Sequence, residues 1–262
     1  MIRITYVTIT YNAAQVLQRT LDSILQQDYA DIVHLIIDGA STDDTLKLVD
    51  DYINRSNAAE NGHRIQVMSE PDEGIYDAMN KGLRSLDGDY VCFLNAGDYL
   101  PAPDTVSKIA AAVKVQSSQF KVQYPAVLYG DTDIVDGEGR FLHHRRLAPP
   151  EKLTWKSFRQ GMLVCHQAFY ARTDFAIATP YDRKYRYSAD VDWCIRVMKA
   201  AAKENVPLHN LHMVVANYTE EGQTTLHHRE SLWERYRVME RHYGRIQTFF
   251  LHVWFVVRSV IK

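Results

Sequence analysis

Four short apolar runs, each followed by a stretch with helical spacing, occupy the first hundred residues, and this alternation constrains the fold more than any other feature. Ile2-Arg3-Ile4-Thr5-Tyr6-Val7-Thr8-Ile9 alternates as a strand does. From Ala13 to Gln27, Val16, Leu17, Thr20, Leu21, Ile24 and Leu25 fall on one helical stripe. Ile32 to Ile37 is a second strand, and Ser41 with Asp44 forms a capping box for a helix through Leu46, Val49, Tyr52 and Ile53. Arg64 to Ser69 is a third strand, Gly74 to Ser85 a helix, and Asp89 to Leu94 a fourth strand. This rhythm predicts an α/β fold with a mainly parallel central sheet and helices on both faces.

In such a sheet ligands sit beyond the carboxyl ends of the strands, so the four segments that follow the strands matter most. They are Thr10-Tyr11-Asn12, then Asp38-Gly39-Ala40-Ser41-Thr42-Asp43-Asp44, then Glu70-Pro71-Asp72-Glu73-Gly74-Ile75-Tyr76-Asp77-Ala78-Met79-Asn80-Lys81-Gly82, and finally Phe93-Leu94-Asn95-Ala96-Gly97-Asp98. Asp38 and Asp72 can accept from base N–H groups or sugar hydroxyls. Asp98 can hold a hard divalent cation, which in turn can hold phosphates. Thr42, Asp43 and Asp44 also suit a helix cap. Neither a Gly-x-Gly-x-x-Gly nor a Gly-x-x-x-x-Gly-Lys-Ser/Thr follows the first strand, which argues against a dinucleotide oxidoreductase or a P-loop enzyme.

The 262 residues, 46% hydrophobic, are enough for one large domain, and the formal net charge of −2 argues against a nucleic-acid partner. Cys92, Cys165 and Cys194 are far apart in apolar surroundings, as buried thiols of a reducing cytoplasm would be. No signal peptide is visible. The second half is less regular. Ala126 to Tyr129 and Gln167 to Ala171 read as strands, Asp136-Gly137-Glu138-Gly139 as a hairpin turn, Pro149-Pro150 as the start of a helix, and Asp190 to Lys203 as a helix. From Leu226 to Lys262 there are seven Arg/Lys against three Glu, and Phe249 to Val257 is strongly apolar. That run is too short to span a bilayer. It either lies on an anionic membrane surface or packs on the domain or a second subunit of an oligomer.

Taken together, the four turns resemble family 2 glycosyltransferases of the GT-A fold, closely from Met1 to about Pro101 and more loosely to about residue 225. The nearest likeness is to bacterial enzymes of exopolysaccharide, capsule or O-antigen synthesis. The resemblance implies a glycosyltransferase domain over 1–225, with a nucleotide-sugar half (1–101) and an acceptor half (102–225), and a helical segment over 226–262. It implies that Thr10, Tyr11 and Asn12 line the nucleotide, that Asp38 contacts the base (usually uracil), and that Asp72 borders base and ribose. Asn80 and Gly82 match the Asn-x-Gly under the sugar-nucleotide, and Asp98 matches the last acidic residue of the metal-binding Asp-x-Asp region. Many members read Asp-Ala-Asp-Asp there; this chain has Asn95-Ala96-Gly97-Asp98, so a Mg or Mn ion would depend on Asp98, the diphosphate and water.

In the second half, Tyr187-Ser188-Ala189-Asp190-Val191-Asp192-Trp193 resembles the family's Glu-Asp-x-Asp region, which makes Asp190 the expected base. Asp192 is a lesser candidate with a helix-dipole role as its plain reading. Cys165-His166-Gln167 resembles the family's His-Gln beside the acceptor, and Glu221-Gly222-Gln223-Thr224-Thr225 a loop that closes over the site. The expected activity is inverting transfer from a nucleoside-diphosphate sugar, UDP-sugar favoured, to a saccharide hydroxyl on a lipid-linked acceptor. It would take place in the cytoplasm or at the cytoplasmic membrane face. The alternative is a catalytically silent nucleotide-sugar-binding or scaffold subunit.

Overall fold

The structure is a computed structural model that describes residues 1–115, 124–219 and 228–260. The alternation of the first hundred residues becomes β1 (Ile4–Thr10), α1 (Ala14–Leu25), β2 (Ile32–Asp38), α2 (Thr45–Ala59), β3 (Arg64–Ser69), α3 (Ile75–Arg84) and β4 (Tyr90–Phe93). These four strands pair in parallel in the order β3-β2-β1-β4. β1, β2 and β4 are buried almost throughout, as strands covered on both faces are, whereas β3 is the exposed edge.

The chain continues through α4 (Thr105–Val115), β5 (Val127–Val135), β6 (Phe141–His144), β7 (Phe169–Arg172), α5 (Thr173–Ile177), α6 (Ala189–Lys203), β8 (Leu208–Thr219), α7 (His228–Tyr243) and α8 (Arg245–Val260). β7 joins β4 and β5 antiparallel, β6 returns antiparallel on β5, and β8 runs parallel to β5. The result is one eight-stranded mixed sheet, parallel in its first half, with helices packed on it. The turn between β5 and β6 forms where expected, because Asp136 Oδ1 accepts from the N–H groups of Glu138 and Arg140 (both 2.9 Å).

Two local expectations fail. No helix starts at Pro149-Pro150; only a 3-10 turn, Ser157–Gln160, follows. Tyr129 Oη binds the carbonyls of Pro150 and Glu151 (3.1 and 3.0 Å), and this tethering holds the segment open. Nor does the Ser41–Asp44 capping box form. Ser41 is drawn to Asp38 instead, and Asp43 Oδ1 accepts from the N–H of Thr45 (3.0 Å) at the start of α2.

An aromatic cluster seats α6 against the sheet. Trp193 is fully buried, with its ring centroid 5.0 Å from Tyr181 in a stacked pair and 5.7 Å from both Phe93 and Phe169. Such pairs add about 0.5–1.5 kcal/mol each beyond their burial. They fix the first turn of α6, and with it Asp190, beside the end of β4. α7 belongs to the same core through Val238, Met239 and Tyr243.

Candidate active site

The strand-end loops of the parallel half are laced together from below. Asp38 is wholly buried, and both its oxygens are occupied: Oδ1 by the Thr10 hydroxyl (2.9 Å) and the Ser41 hydroxyl, Oδ2 by the Ser41 N–H (2.9 Å) and the Ser69 hydroxyl (2.7 Å). Burial pushes this carboxyl upward, but the hydrogen bonds from Ser41, Ser69 and Thr10 outweigh it and hold it below the usual carboxylate range. The pull of Asp38 on Ser41 bends Ala40 into the left-handed region at φ +61°. Ser41 Oγ also accepts from the Asn12 N–H (2.8 Å), and Asn12 Oδ1 accepts from the Thr42 N–H (2.9 Å). Asp38 is thus the knot beneath the loops, and it does not line the cleft above them.

That cleft, about 970 Å³, opens at the carboxyl ends of β1 and β4. Of the residues singled out from sequence, it brings together Tyr11, Asn12, Asp72, Asn95, Gly97, Asp98, His166 and Asp190. Tyr11 is exposed, and a Cβ on Gly39 would lie 3.3 Å from the Tyr11 ring and 2.5 Å from Asp72 Oδ2. Only glycine allows these two groups to converge over β2. Asp72 is held by the Gly74 N–H (2.8 Å). Thr10, Asn80, Gly82 and Asp192 lie outside the cleft lining. Asn80 clamps the Tyr181 backbone through both ends of its amide (3.0 and 2.7 Å), and a Cβ on Gly82 would meet Val7 Cγ1 at 2.8 Å, so both serve the seating of α3. Asp192, buried, accepts from Arg196 (2.6 Å) and His242 (2.8 Å) and ties α6 to α7.

Opposite the base of the cleft, Asp190 heads a chain of hydrogen bonds. Asn95 Nδ2 can only donate, and it lies 3.0 Å from His166 Nε2; the imidazole proton therefore sits on Nδ1, 3.2 Å from Asp190 Oδ2. Tyr76 Oη donates to Asp190 Oδ1 at 3.3 Å. Burial raises the Asp190 carboxyl, but the His166 hydrogen bond, with help from Arg235 and the Val191 N–H, overcomes it and leaves the group below its ordinary value. Asp190 is therefore ionised at neutral pH, and it stands in the first turn of α6 where the helix dipole favours its charge.

The N-terminus of α6 is capped from a distant part of the chain. Glu234 of α7 accepts from the N–H groups of Arg186, Tyr187 and Ser188 at 2.8, 2.6 and 3.1 Å. No sequence signal pointed to Glu234, which is more than forty residues from its partners. Tyr76 did carry a signal, since it lies inside the turn after β3; Arg19 and Arg186, the cations that line the cleft, lie outside the motifs.

The turn after β4 differs from expectation in its chemistry. Gly97, at φ +98°, donates its N–H to Thr20 Oγ1 (2.9 Å). Asp98 is buried, and its oxygens accept from Gln167 Nε2 (2.7 Å) and the Thr219 N–H (3.1 Å). Burial outweighs those bonds and lifts its pKa to about 6. Among the described residues no group of three or more His, Cys, Asp or Glu is placed to share a cation. A single carboxylate, buried and with a protein donor on each oxygen, does not by itself fit a resident Mg or Mn ion. Asn95 Oδ1, by contrast, is buried with no hydrogen-bond partner. The expected closing loop, Glu221 to Thr225, lies outside the described residues.

Comparison with known proteins agrees with this geometry. The family description "Glycosyl transferase family 2" fits residues 5–177. The PGL/p-HBAD biosynthesis glycosyltransferase of Mycobacterium tuberculosis is 35% identical over 214 residues, 81% of this chain and 75% of the relative. The amylovoran biosynthesis glycosyltransferase AmsB of Erwinia amylovora is 28% identical over 78% of this chain and 67% of its own. Among solved structures, S. aureus TarS 1-349 in complex with UDP-GlcNAc superposes with a TM-score of 0.68 at 18% identity, over 91% of this chain. The chain spans 64% of that structure's length. Mannosyltransferase PcManGT of Pyrobaculum calidifontis, in complex with GDP-Man and Mn2+, gives a TM-score of 0.58 at 19% identity over 92% of this chain and 64% of its own. The chain belongs to glycosyl transferase family 2. It is a glycosyltransferase with the GT-A fold, as its strand-end turns had suggested.

Proposed function

We propose that this enzyme moves a sugar, with inversion, from a nucleoside-diphosphate donor to a saccharide hydroxyl in bacterial cell-surface glycan synthesis. The observation that carries the proposal is the Asn95–His166–Asp190 chain facing the same cleft as Tyr11 and Asp72. Asp190, ionised and fixed at the head of α6, takes the proton of the acceptor hydroxyl. The freed oxygen attacks the anomeric carbon on the face opposite the diphosphate. The bond from that carbon to the diphosphate breaks, and its electron pair leaves with the nucleotide. His166 keeps Asp190 oriented and ionised. Tyr11 offers its exposed ring to the base, Asp72 accepts from base or ribose, and Asn95 holds the His166 ring through its Nδ2. Arg19 and Arg186, at the cleft, meet the growing charge on the diphosphate.

A UDP-sugar is the favoured donor, in keeping with the UDP and UDP-GlcNAc complexes of TarS. No step is assigned to a divalent ion. One would find a place here only through the phosphates of the donor itself, because Asp98 acts as a brace. The names of the mycobacterial and Erwinia relatives support a glycan-building role, and we take the acceptor to be lipid-linked, which sets the enzyme at the cytoplasmic membrane face. Among the described residues no helix is long and apolar enough to cross a membrane.

The test is nucleotide release from a panel of UDP- and GDP-sugars with lipid-linked acceptors extracted from membranes, followed by NMR of the product linkage. Acceptor-dependent release with an inverted anomeric centre is the expected result. Tight nucleotide binding without turnover of any donor would favour the silent-subunit alternative instead.

A further inference from the structure

The helix α8 has two apolar faces, and the described residues cover only one. Thr248 is buried, and Leu251, His252 and Phe255 are half-buried; Leu251 and Phe255 pack on the core and His252 meets Tyr236 of α7, with ring centroids 4.8 Å apart. On the opposite side Ile246, Phe249, Phe250, Val253 and Trp254 follow each other at spacings of three, one, three and one residues. That spacing is a continuous helical stripe. These residues are 78, 57, 66, 46 and 57% exposed. A contiguous exposed apolar stripe marks a contact surface, so something beyond the described residues completes the burial of α8.

We infer that this stripe is the face by which the enzyme seats on an anionic lipid surface. α8 contains no Asp or Glu among its sixteen residues. The three Glu between Leu226 and Lys262 are set against seven Arg/Lys, and two of the three are engaged: Glu234 by backbone N–H groups and Glu240 by Arg245 at 2.6 Å. Arg245 is itself taken by Glu240 and Arg241 by Asp182 (2.8 Å), and the segment as a whole still counts more positive than negative side chains, on a chain whose total is −2. A second copy would bring the same positive surface to the contact and be repelled, whereas anionic headgroups are attracted. Phe and Trp in a stripe about 12 Å long, on a helix of about 24 Å, suit a helix lying in the headgroup plane. The inference deepens the membrane-face location proposed above, but it rests on α8 and not on the transfer reaction.

The experiment is sedimentation of the full chain with phosphatidylglycerol-containing and purely phosphatidylcholine vesicles, without donor or acceptor. The wild type should pellet with the anionic vesicles, less with the neutral ones, and less as salt rises above ~0.1 M. A variant carrying Phe249→Ser, Phe250→Ser and Trp254→Ser should lose at least about tenfold in vesicle affinity. Unchanged UDP binding by that variant would show that it is folded. A wild type that stays in the supernatant with every vesicle, or a variant that pellets equally, overturns the inference. So does a dimer in light scattering that the triple variant converts to monomer without any vesicle binding, which would give the face to a second copy. Because no turnover is measured, failure of the transfer reaction leaves this result intact, and the reverse also holds.

Discussion

Two carboxylates face one cleft, and their surroundings push them in opposite directions. Asp98, at the end of the parallel half, is lifted to about 6 because burial outweighs its two neutral donors. Asp190, at the head of α6, is less completely enclosed and is held below its ordinary value by His166, Arg235 and the helix start. Burial alone therefore does not set the charge of an enclosed carboxylate. The partners decide: neutral amides leave a carboxylate as a brace, while a cationic or proton-bearing ring keeps one charged and ready to accept a proton.

The comparison breaks first at Asp190. Asp190→Asn should lower transfer by about 10²–10⁴ while nucleotide affinity, measured by calorimetry, stays the same. An equal loss of both would return Asp190 to a structural role. Next comes its support. Glu234→Ala leaves three N–H groups at the start of α6 without their acceptor and should cost about 1–3 kcal/mol in chemical denaturation. The rate should fall more than affinity for the nucleotide, since Tyr11 and Asp72 are untouched. His166→Ala should act through pH. Losing the ring removes the chief force that holds Asp190 down, so the acid limb of the rate profile moves to higher pH. A profile unchanged in shape would mean that His166 only fills space.

The smallest effect is expected at Asp98. With a folded pKa near 6, raised above the unfolded carboxylate value, its contribution to stability is fully present below about pH 4. That contribution is lost as pH rises past about 6. Asp98→Asn can keep both contacts if Gln167 turns its amide. It should therefore leave stability at pH 7 within about 1 kcal/mol, flatten the decline between pH 4 and 6, and change nucleotide affinity in manganese or chelator less than about threefold. A large, manganese-specific loss would make Asp98 a metal ligand after all.

The parallel half was legible because its strands are buried on both faces and so read as apolar runs bounded by polar turns. The family resemblance followed from those turns, and the comparisons bear it out. Inside the turns, spacing located Asp38 and Asp98 but not the direction of their side chains. Asp38 ends a strand as a ligand-binding carboxylate would, yet Thr10, Ser41 and Ser69 surround it. The Pro149-Pro150 segment misled because proline opens a helix and a tethered coil equally well, and the tether, Tyr129, is some twenty residues away. Glu234 was invisible for the same reason: its partners are backbone groups, which leave no mark on composition.

The stretch fitted by the family description ends at residue 177, before α6 begins, and α6 is capped from Glu234. Loss of the chain's last thirty-odd residues, by proteolysis or by a premature stop, would take the acceptor from three N–H groups at the start of α6 and strip Val238, Met239 and Tyr243 from the core in one cut.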